Sequence, residues 1–560
     1  MIWEASPLES FPNARWFSDF WMKELDFPAH GTNLLWRIIT ENSGVKCLQK
    51  NPLFPVSENN PVVCALDTNK SMADRILHVA TMPVRVAKNV IHYNTTEALI
   101  AIISVFVLLW IIRGYRKMLY PPILRGLPLF GMLLRFVNQS KYIVEDGIRQ
   151  FGGRAFGFKI AGLKYFISRN AQDIQFAADE YDAFSVKEYF RLINFDVVVG
   201  AEFFESEIYT MLIRENLLSA HKLSRFSAVT EDASKQFLRQ YPFDKDQKIS
   251  RWLQDYMIFV LSRMIIGGES YDEPELLRAF RAINDDSVSA MGFASLLPRR
   301  FKHLAGYRIR KHLQVIRKIL IPVIKHRRKE PNKYFDFLKW ILQQPISNEK
   351  TSDLVAIILY VALTNLISGL PNAFYDIIEI PGYQDELLRE VKYASVHEVR
   401  PQHAGGPWNC LRGSIYESLR MASQMTGPAR LLTKEVNLPS DPKVTLPVGS
   451  VFSLSAYLAS YNSNNWGSDW DTFKSTRFHS HRSDRYVNAF HSSYLAFGLG
   501  RNMCPGRFFG VQTIMIMLRE LMIIYEFETP IQKSAKQIDK YTWKNGQVIR
   551  KEVQVLVVRR

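Results

Sequence analysis

Cys504 stands in the run Phe497-Gly498-Leu499-Gly500-Arg501-Asn502-Met503-Cys504-Pro505-Gly506-Arg507, a glycine-rich turn that leads straight into an apolar helical stretch. A cysteine there has two uses. It can be a small buried hydrophobe beside a turn, or its thiolate can act as a ligand. The surroundings favour the ligand. Glycines at 498, 500 and 506 let backbone N–H groups approach sulfur without a Cβ clash. Phe497 would cover the apolar side of the loop. Pro505 and Gly506 end the turn and start the helix that carries Phe508, Phe509, Val511, Ile514, Met515 and Leu518. A proline costs little there, because its missing N–H would be unpaired anyway.

Phe497, Gly500, Cys504 and Gly506 match the pattern Phe-x-x-Gly-x-Arg-x-Cys-x-Gly, and the segment resembles the haem-binding loop of the cytochrome P-450 superfamily. The family's basic residue two before the cysteine is Asn502 here, with Arg501 beside it. The resemblance implies that Cys504 is the axial ligand to the iron of haem b. Such a thiolate donates electron density and favours O–O cleavage. Phe497, Gly498, Gly500 and Arg501 would complete the cofactor loop.

A second signature is Glu417-Ser418-Leu419-Arg420, 87 residues before Cys504. Glu and Arg three apart share one face of a helix. An exposed pair of this kind contributes under about 1 kcal/mol, so its weight comes from matching the family's Glu-x-x-Arg. Arg477-Phe478 resembles the region that supplies the third charge, without the family's Pro and Glu. The resemblance implies a structural network of Glu417, Arg420 and Arg477. It also implies that Arg430 pairs with a haem propionate, where a guanidinium suits bidentate binding; the alternative is a solvated surface arginine. The family's Trp-x-x-x-Arg of an earlier helix is not evident, and His221, Lys222 and Arg225 lie near where it would fall.

These groups need elements to hold them. Asp353 to Ile380 is apolar, with the period and length of a helix, and Pro371 is expected to kink it. In the family the corresponding helix crosses the haem and carries an acid–alcohol pair that relays protons to oxygen. Counting back from Pro381 puts Thr364 and Asn365 at those positions, so the acid is missing. Thr364, Asn365 or Ser368 could organise water instead; Thr364 and Ser368 could also simply bond back to carbonyls of their own helix. Helices with basic faces are expected near 204–240 and 307–328, and strands at 162–168 and 553–558.

The chain has 560 residues, 47% hydrophobic and 22% charged, with net charge +17. Such charge favours anionic headgroups or an acidic partner surface. Lys and Arg are spread along the chain with no nucleic-acid motif, which argues against a nucleic-acid partner. Four cysteines, Cys47, Cys64, Cys410 and Cys504, form no C-x-x-C pair, which argues against zinc and iron–sulfur sites and suits a reducing compartment. His479, His481 and His491 read as loop histidines.

Ala98 to Ile112 is uncharged and almost wholly apolar, followed by Arg113, Arg116 and Lys117. It is short against the roughly 20 residues of a span, but Trp110 and Tyr115 suit an interface. The expected organisation is an extension of unknown role at 1–90 or a mis-predicted start (Met72 and Met82 being later candidates), a membrane-anchor helix at 91–120, and a haem-thiolate catalytic domain at 121–560. Tyr120 to Pro128 reads as a proline-rich hinge. The sequon Asn94-Thr95-Thr96 lies close to the anchor.

The resemblance implies a mainly α fold with small β-sheets behind an N-terminal membrane anchor, in a single-pass protein of the endoplasmic reticulum with its catalytic domain in the cytosol. It implies a monooxygenase that inserts one oxygen atom from O2 into a lipophilic small molecule, with electrons from NADPH through a flavoprotein reductase. The Cys504–Phe509 run and Tyr375-Asp376 with Pro381 look most like fungal secondary-metabolism members, whose substrates are terpenoid or polyketide in origin. Two alternatives stay open: a haem-thiolate isomerase or dehydratase that needs no external reductase, and a catalytically degenerate haem protein.

Overall fold

The computed structural model describes residues 46–47, 64–65, 102–108, 120–127, 130–267, 274–330, 333–487, 491–529, 537–544 and 547–560. Contacts divide the chain into two units, Met1–Met118 and Leu119–Arg560. In the first, Lys46–Cys47 pairs antiparallel with Cys64–Ala65, and residues 102–108 are helical with Ile102, Ile103, Phe106 and Leu108 exposed. The rest of the expected extension and anchor, the sequon, Met72, Met82 and Arg113 to Lys117 lie outside the described residues.

The second unit is mainly helical. The helices that bear on the site are α1 (Leu133–Phe151), α2 (Ala171–Asp179), α3 (Ile208–Leu217), α4 (Ala220–Gln240), α5 (Ile249–Ile266), α6 (Pro274–Leu296), α7 (Tyr307–Arg327), α8 (Asn348–Ile378), α9 (Asn409–Met421) and α10 (Arg507–Ile524). The stretch expected as one helix near 204–240 is interrupted. Ser219 is extended and begins α4 afresh. Five short strands, β1 (Phe156–Ile160), β2 (Leu163–Ile167), β3 (Phe184–Ser185), β4 (Ala429–Leu432) and β5 (Val451–Ser453), form one sheet in the order β1-β2-β5-β4-β3. Only β2 and β5 run parallel, with Phe166 opposite Phe452; the other neighbours are antiparallel. The expected terminal strand is Leu556–Arg559, paired with Tyr525–Glu528.

Helix α8 is the axis of this unit. Ser347 caps its start by accepting from Lys350 N. Its apolar run is buried among α5, α7, α9 and α10. By length and hydropathy it could cross a membrane, and it is the one such helix among the described residues, but most of that window is buried inside the fold. The chain continues through Pro371 as one helix rather than breaking there. Tight packing on both sides outweighs the single hydrogen bond that proline removes.

The C-terminal end of α8 is tied to the rest by charge. Asp376, fully buried, accepts from Ser418 Oγ on α9 and from Tyr541 Oη, each at 2.7 Å. Arg550 Nε lies 3.3 Å from the other Asp376 oxygen, and Arg550 also pairs with Glu379, which takes Lys540 Nζ at 2.6 Å. Burial pushes the Asp376 carboxyl up, and Arg550 opposes that shift. A C-terminal hairpin is thereby clamped onto the helix pair that brackets the site. Removing one partner strands a buried charge. Arg550→Ala is expected to lower unfolding stability by about 3–5 kcal/mol, read from denaturant titration. Asp376→Asn in the same chain should restore part of it, and a loss confined to the single variant's surface neighbours would show the clamp to be unimportant.

Candidate active site

The Cys504 loop is shaped by its own backbone. Cys504 N–H donates to the Phe497 carbonyl at 2.8 Å, which closes the turn. Gly500 holds φ +71°, and a Cβ there would lie 2.8 Å from the Ala178 carbonyl of α2. The loop can therefore approach α2 only with glycine at this position. Phe497 packs its ring towards Tyr416 and Tyr494 at 6.3 Å each. The Arg507 guanidinium donates to the Cys504 carbonyl at 3.1 Å. Cys504 is half-buried and forms no disulfide. Burial pushes its thiol up, while the Gly506 N–H and Arg507 pull it back. Those two groups favour the thiolate over the thiol.

Arg430 is the most telling neighbour. It lies on β4, only 1% exposed, and donates one N–H to the Leu499 carbonyl at 3.0 Å. Its Nε and Nη1 have no partner. Burial lowers its pKa to about 10, with Asp179 the opposing charge. A buried guanidinium with two idle donors beside the thiolate loop is a cost unless an anion meets it. Arg501 faces elsewhere. It is exposed, and its guanidinium lies 4.9 Å over the Tyr181 ring. Asn502 is exposed as well. The neighbouring positions 501 and 502 thus place no buried cation where Arg430 sits.

Behind the loop, Glu417 and Arg420 on α9 are both 0% exposed and pair through two bonds of 2.8 Å. Arg420 also donates to the Ser460 carbonyl at 2.7 Å. Arg477 Nε reaches the same carboxylate at 3.2 Å, and Lys474 N–H at 3.0 Å. Burial alone would lower the Arg420 pKa, but the Glu417 carboxylate outweighs it and the net shift is upward. The three residues expected to form one network meet in space, although the Pro and Glu around Arg477 are absent.

Helix α8 passes over α10. Leu366 lies so close that a Cβ on Gly510 would come within 2.9 Å of it, and Gly369 faces Ile514. In this otherwise buried helix, Thr364, Asn365 and Ser368 are exposed on one face. Thr364 Oγ1 donates to the Tyr360 carbonyl at 2.6 Å, a bond within its own helix. Half-buried Val361, Ala362 and Leu366 flank the face. Phe195 lies 6.1 Å from the Tyr360 ring. The accessible face is therefore mostly apolar, with hydroxyl and amide groups but no carboxylate.

Among the earlier candidates on α4, Lys222 bonds Asn216 at 2.6 Å and sits over Trp340, Arg225 stacks on Phe335 at 3.7 Å, and His221 is exposed. Sequence reading missed Arg214 on α3. It is exposed and forms no ion pair among the described residues, and its neighbour Ile213 lies 4.0 Å from where a Cβ on Gly506 would sit. The break between α3 and α4 at Ser219 is the signal that would have pointed there.

A cytochrome P-450 family model matches residues 121–557. The chain belongs to the cytochrome P-450 family. This family consists of oxidoreductases of the monooxygenase type. The chain is 24% identical to the cytochrome P-450 monooxygenase ausG of Emericella nidulans over 49% of its length, a match that spans 56% of that relative. It is 20% identical to cytochrome P-450 monooxygenase 103 of Postia placenta over 78% of its length and 93% of that relative's. An ent-kaurene oxidase of Gibberella fujikuroi is 22% identical over 74% of this chain and 86% of its own. The retinoic acid-bound cyanobacterial CYP120A1 superposes with TM-score 0.60 at 16% identity, over 79% of this chain and 100% of that one.

The P-450 family implies a haem, and the residues present fit one. Cys504 supplies a sulfur in a glycine turn with an N–H donor and a cation beside it. Arg430 supplies two unpartnered donors for an acidic edge. Two consequences follow for variants. Gly500→Ala adds a side chain to a left-handed residue against a fixed carbonyl and is expected to cost about 1–3 kcal/mol, seen as a lower thermal midpoint. Glu417→Ala leaves Arg420 and Arg477 buried without their carboxylate and is expected to cost about 3–5 kcal/mol. Its purified protein should carry less haem per chain, measured as the pyridine haemochromogen; full loading with unchanged stability would show the network to be dispensable.

Proposed function

We propose that this protein is a membrane-anchored haem-thiolate monooxygenase of lipophilic small molecules. The observation that carries the reading is the Cys504 thiol in its glycine loop beside the idle, buried donors of Arg430. Cys504 would hold the iron, Arg430 an acidic edge of the haem, and Phe497 would shield the sulfur. Gly498 and Gly500 would give the loop its close approach. The bound haem would supply the activation of O2 that puts one oxygen atom into substrate and releases the other as water, with two electrons from NADPH through a flavoprotein reductase. The apolar face formed by Val361, Ala362, Leu366 and Phe195 suits a lipophilic substrate. The match to ausG and to an ent-kaurene oxidase supports a secondary-metabolite substrate of terpenoid or polyketide type. Residues 102–108, helical and apolar, support an anchor at 91–120, with the catalytic domain on the cytosolic face of the endoplasmic reticulum.

Thr364 and Asn365 are proposed to position water for proton delivery. A second reading draws on the same helix. Thr364 already spends its hydroxyl proton on the Tyr360 carbonyl, and no acid accompanies it. That arrangement favours a peroxide rearrangement that needs neither reductase nor proton relay. The decisive experiment pairs spectroscopy with turnover. The reduced, CO-bound protein is expected to show a thiolate-type Soret band that is absent in Cys504→Ser. An unchanged band in the variant would overturn the ligand assignment. Turnover of a lipophilic substrate that stops without NADPH and reductase supports monooxygenation, whereas reductase-independent consumption of an organic peroxide supports the second reading.

A further inference from the structure

Residues 287–329 contain twelve Lys and Arg and no Asp or Glu, in a chain of net charge +17. Read linearly, basic residues occur throughout the chain, but the fold gathers this stretch at one corner. The end of α6 leads through Arg299–Phe301 and Lys302–Ala305 into α7. The corner is held in place. Asn194 Nδ2 donates to Ser295 Oγ at 2.9 Å, and the Asn194 carbonyl oxygen accepts from Lys302 Nζ. Gly306 lies against the Val197 carbonyl, 3.1 Å from where a Cβ would be. Arg310 donates to the His303 carbonyl at 2.6 Å.

This fixed corner carries large apolar side chains outward. Phe293, Phe301, Leu304 and Tyr307 are exposed, and Leu296 is 80% exposed. Arg299 and Arg300 are exposed among them, and Arg308 meets only Asp286, at 3.4 Å. Projecting apolar residues within a cationic field are unfavourable in water and mark an interaction surface. An acidic protein face would satisfy the cations but gain little from a protruding leucine and phenylalanine. An anionic bilayer satisfies both: apolar tips enter the acyl boundary while guanidinium groups meet phosphates.

We propose that residues 293–311 dock the catalytic unit on a membrane rich in anionic lipid and that acidic headgroups are required for it. The proposal extends the membrane reading above, but it rests on this corner and not on residues 91–120. The test uses the full-length holoenzyme in nanodiscs of phosphatidylcholine alone and of phosphatidylcholine with about 30% phosphatidylserine, followed by hydrogen–deuterium exchange. Exchange across 293–311 is expected to slow several-fold only with phosphatidylserine. The protection should disappear in Arg299→Glu/Arg300→Glu and weaken in Phe293→Ser/Leu296→Ser, with exchange in the lipid-free protein unchanged. Equal exchange in the two lipids would overturn the proposal. So would protection that needs an acidic flavoprotein and not the lipid, which would make the corner a protein-docking face. Residues 98–112 left unprotected in both discs would sink the anchor reading, while selective protection of 293–311 would still uphold this one.

Discussion

The site depends on one buried carboxylate. Glu417 receives Arg420 through two bonds, Arg477 through one, and the backbone of Lys474, all without solvent. Such a cluster is costly to assemble, because two guanidinium groups and a carboxylate leave water together. Once assembled it leaves little freedom. It fixes α9 against the segment around Arg477, and α9 in turn packs on α8 and α10. Tyr416 and Phe478, which belong to those same elements, pack together at 5.7 Å, and Tyr416 faces Phe497 in the thiolate loop. Loop geometry thus follows from a charge arrangement some distance behind it.

A second constraint acts through α8. The helix is buried nearly along its whole length, yet one face around Thr364, Asn365 and Ser368 remains accessible. Its position is set from both ends. Ser347 caps the start, and the Asp376–Arg550–Tyr541 cluster fastens the end. Chemistry on that face is therefore limited to what three small polar groups can do. An amide and two hydroxyls can orient water, but none titrates near neutral pH. The departure from the acid–alcohol pair is a real difference in available proton donors, held in a rigid setting.

Charge tells a similar story at larger scale. Composition gives an excess of positive charge, and scanning the sequence finds it in many places. The helix pair α6–α7 collects a long acid-free portion of it beside exposed apolar side chains. Asn194 and Gly306, from distant and local sequence respectively, make that corner a fixed surface rather than a loop.

Several features were legible from residues alone. The Cys504 loop, Glu417 with Arg420, the long helix around Thr364 and the mainly helical fold all carry local signals: glycine spacing, a three-residue offset on one face, and apolar periodicity. Arg477 could be proposed only by position, since its flanking residues differ from the family's. Tertiary structure decided what depends on long-range packing. It buried Arg430 with two donors free, turned Arg501 out onto Tyr181, carried α8 unbroken through Pro371, and brought Arg214 towards the loop by ending α3 at Leu217. Local sequence sets which conformations are inexpensive. Whether an arginine is buried or solvated is settled only when elements far apart in the chain exclude water around it, and no spacing within one segment encodes that.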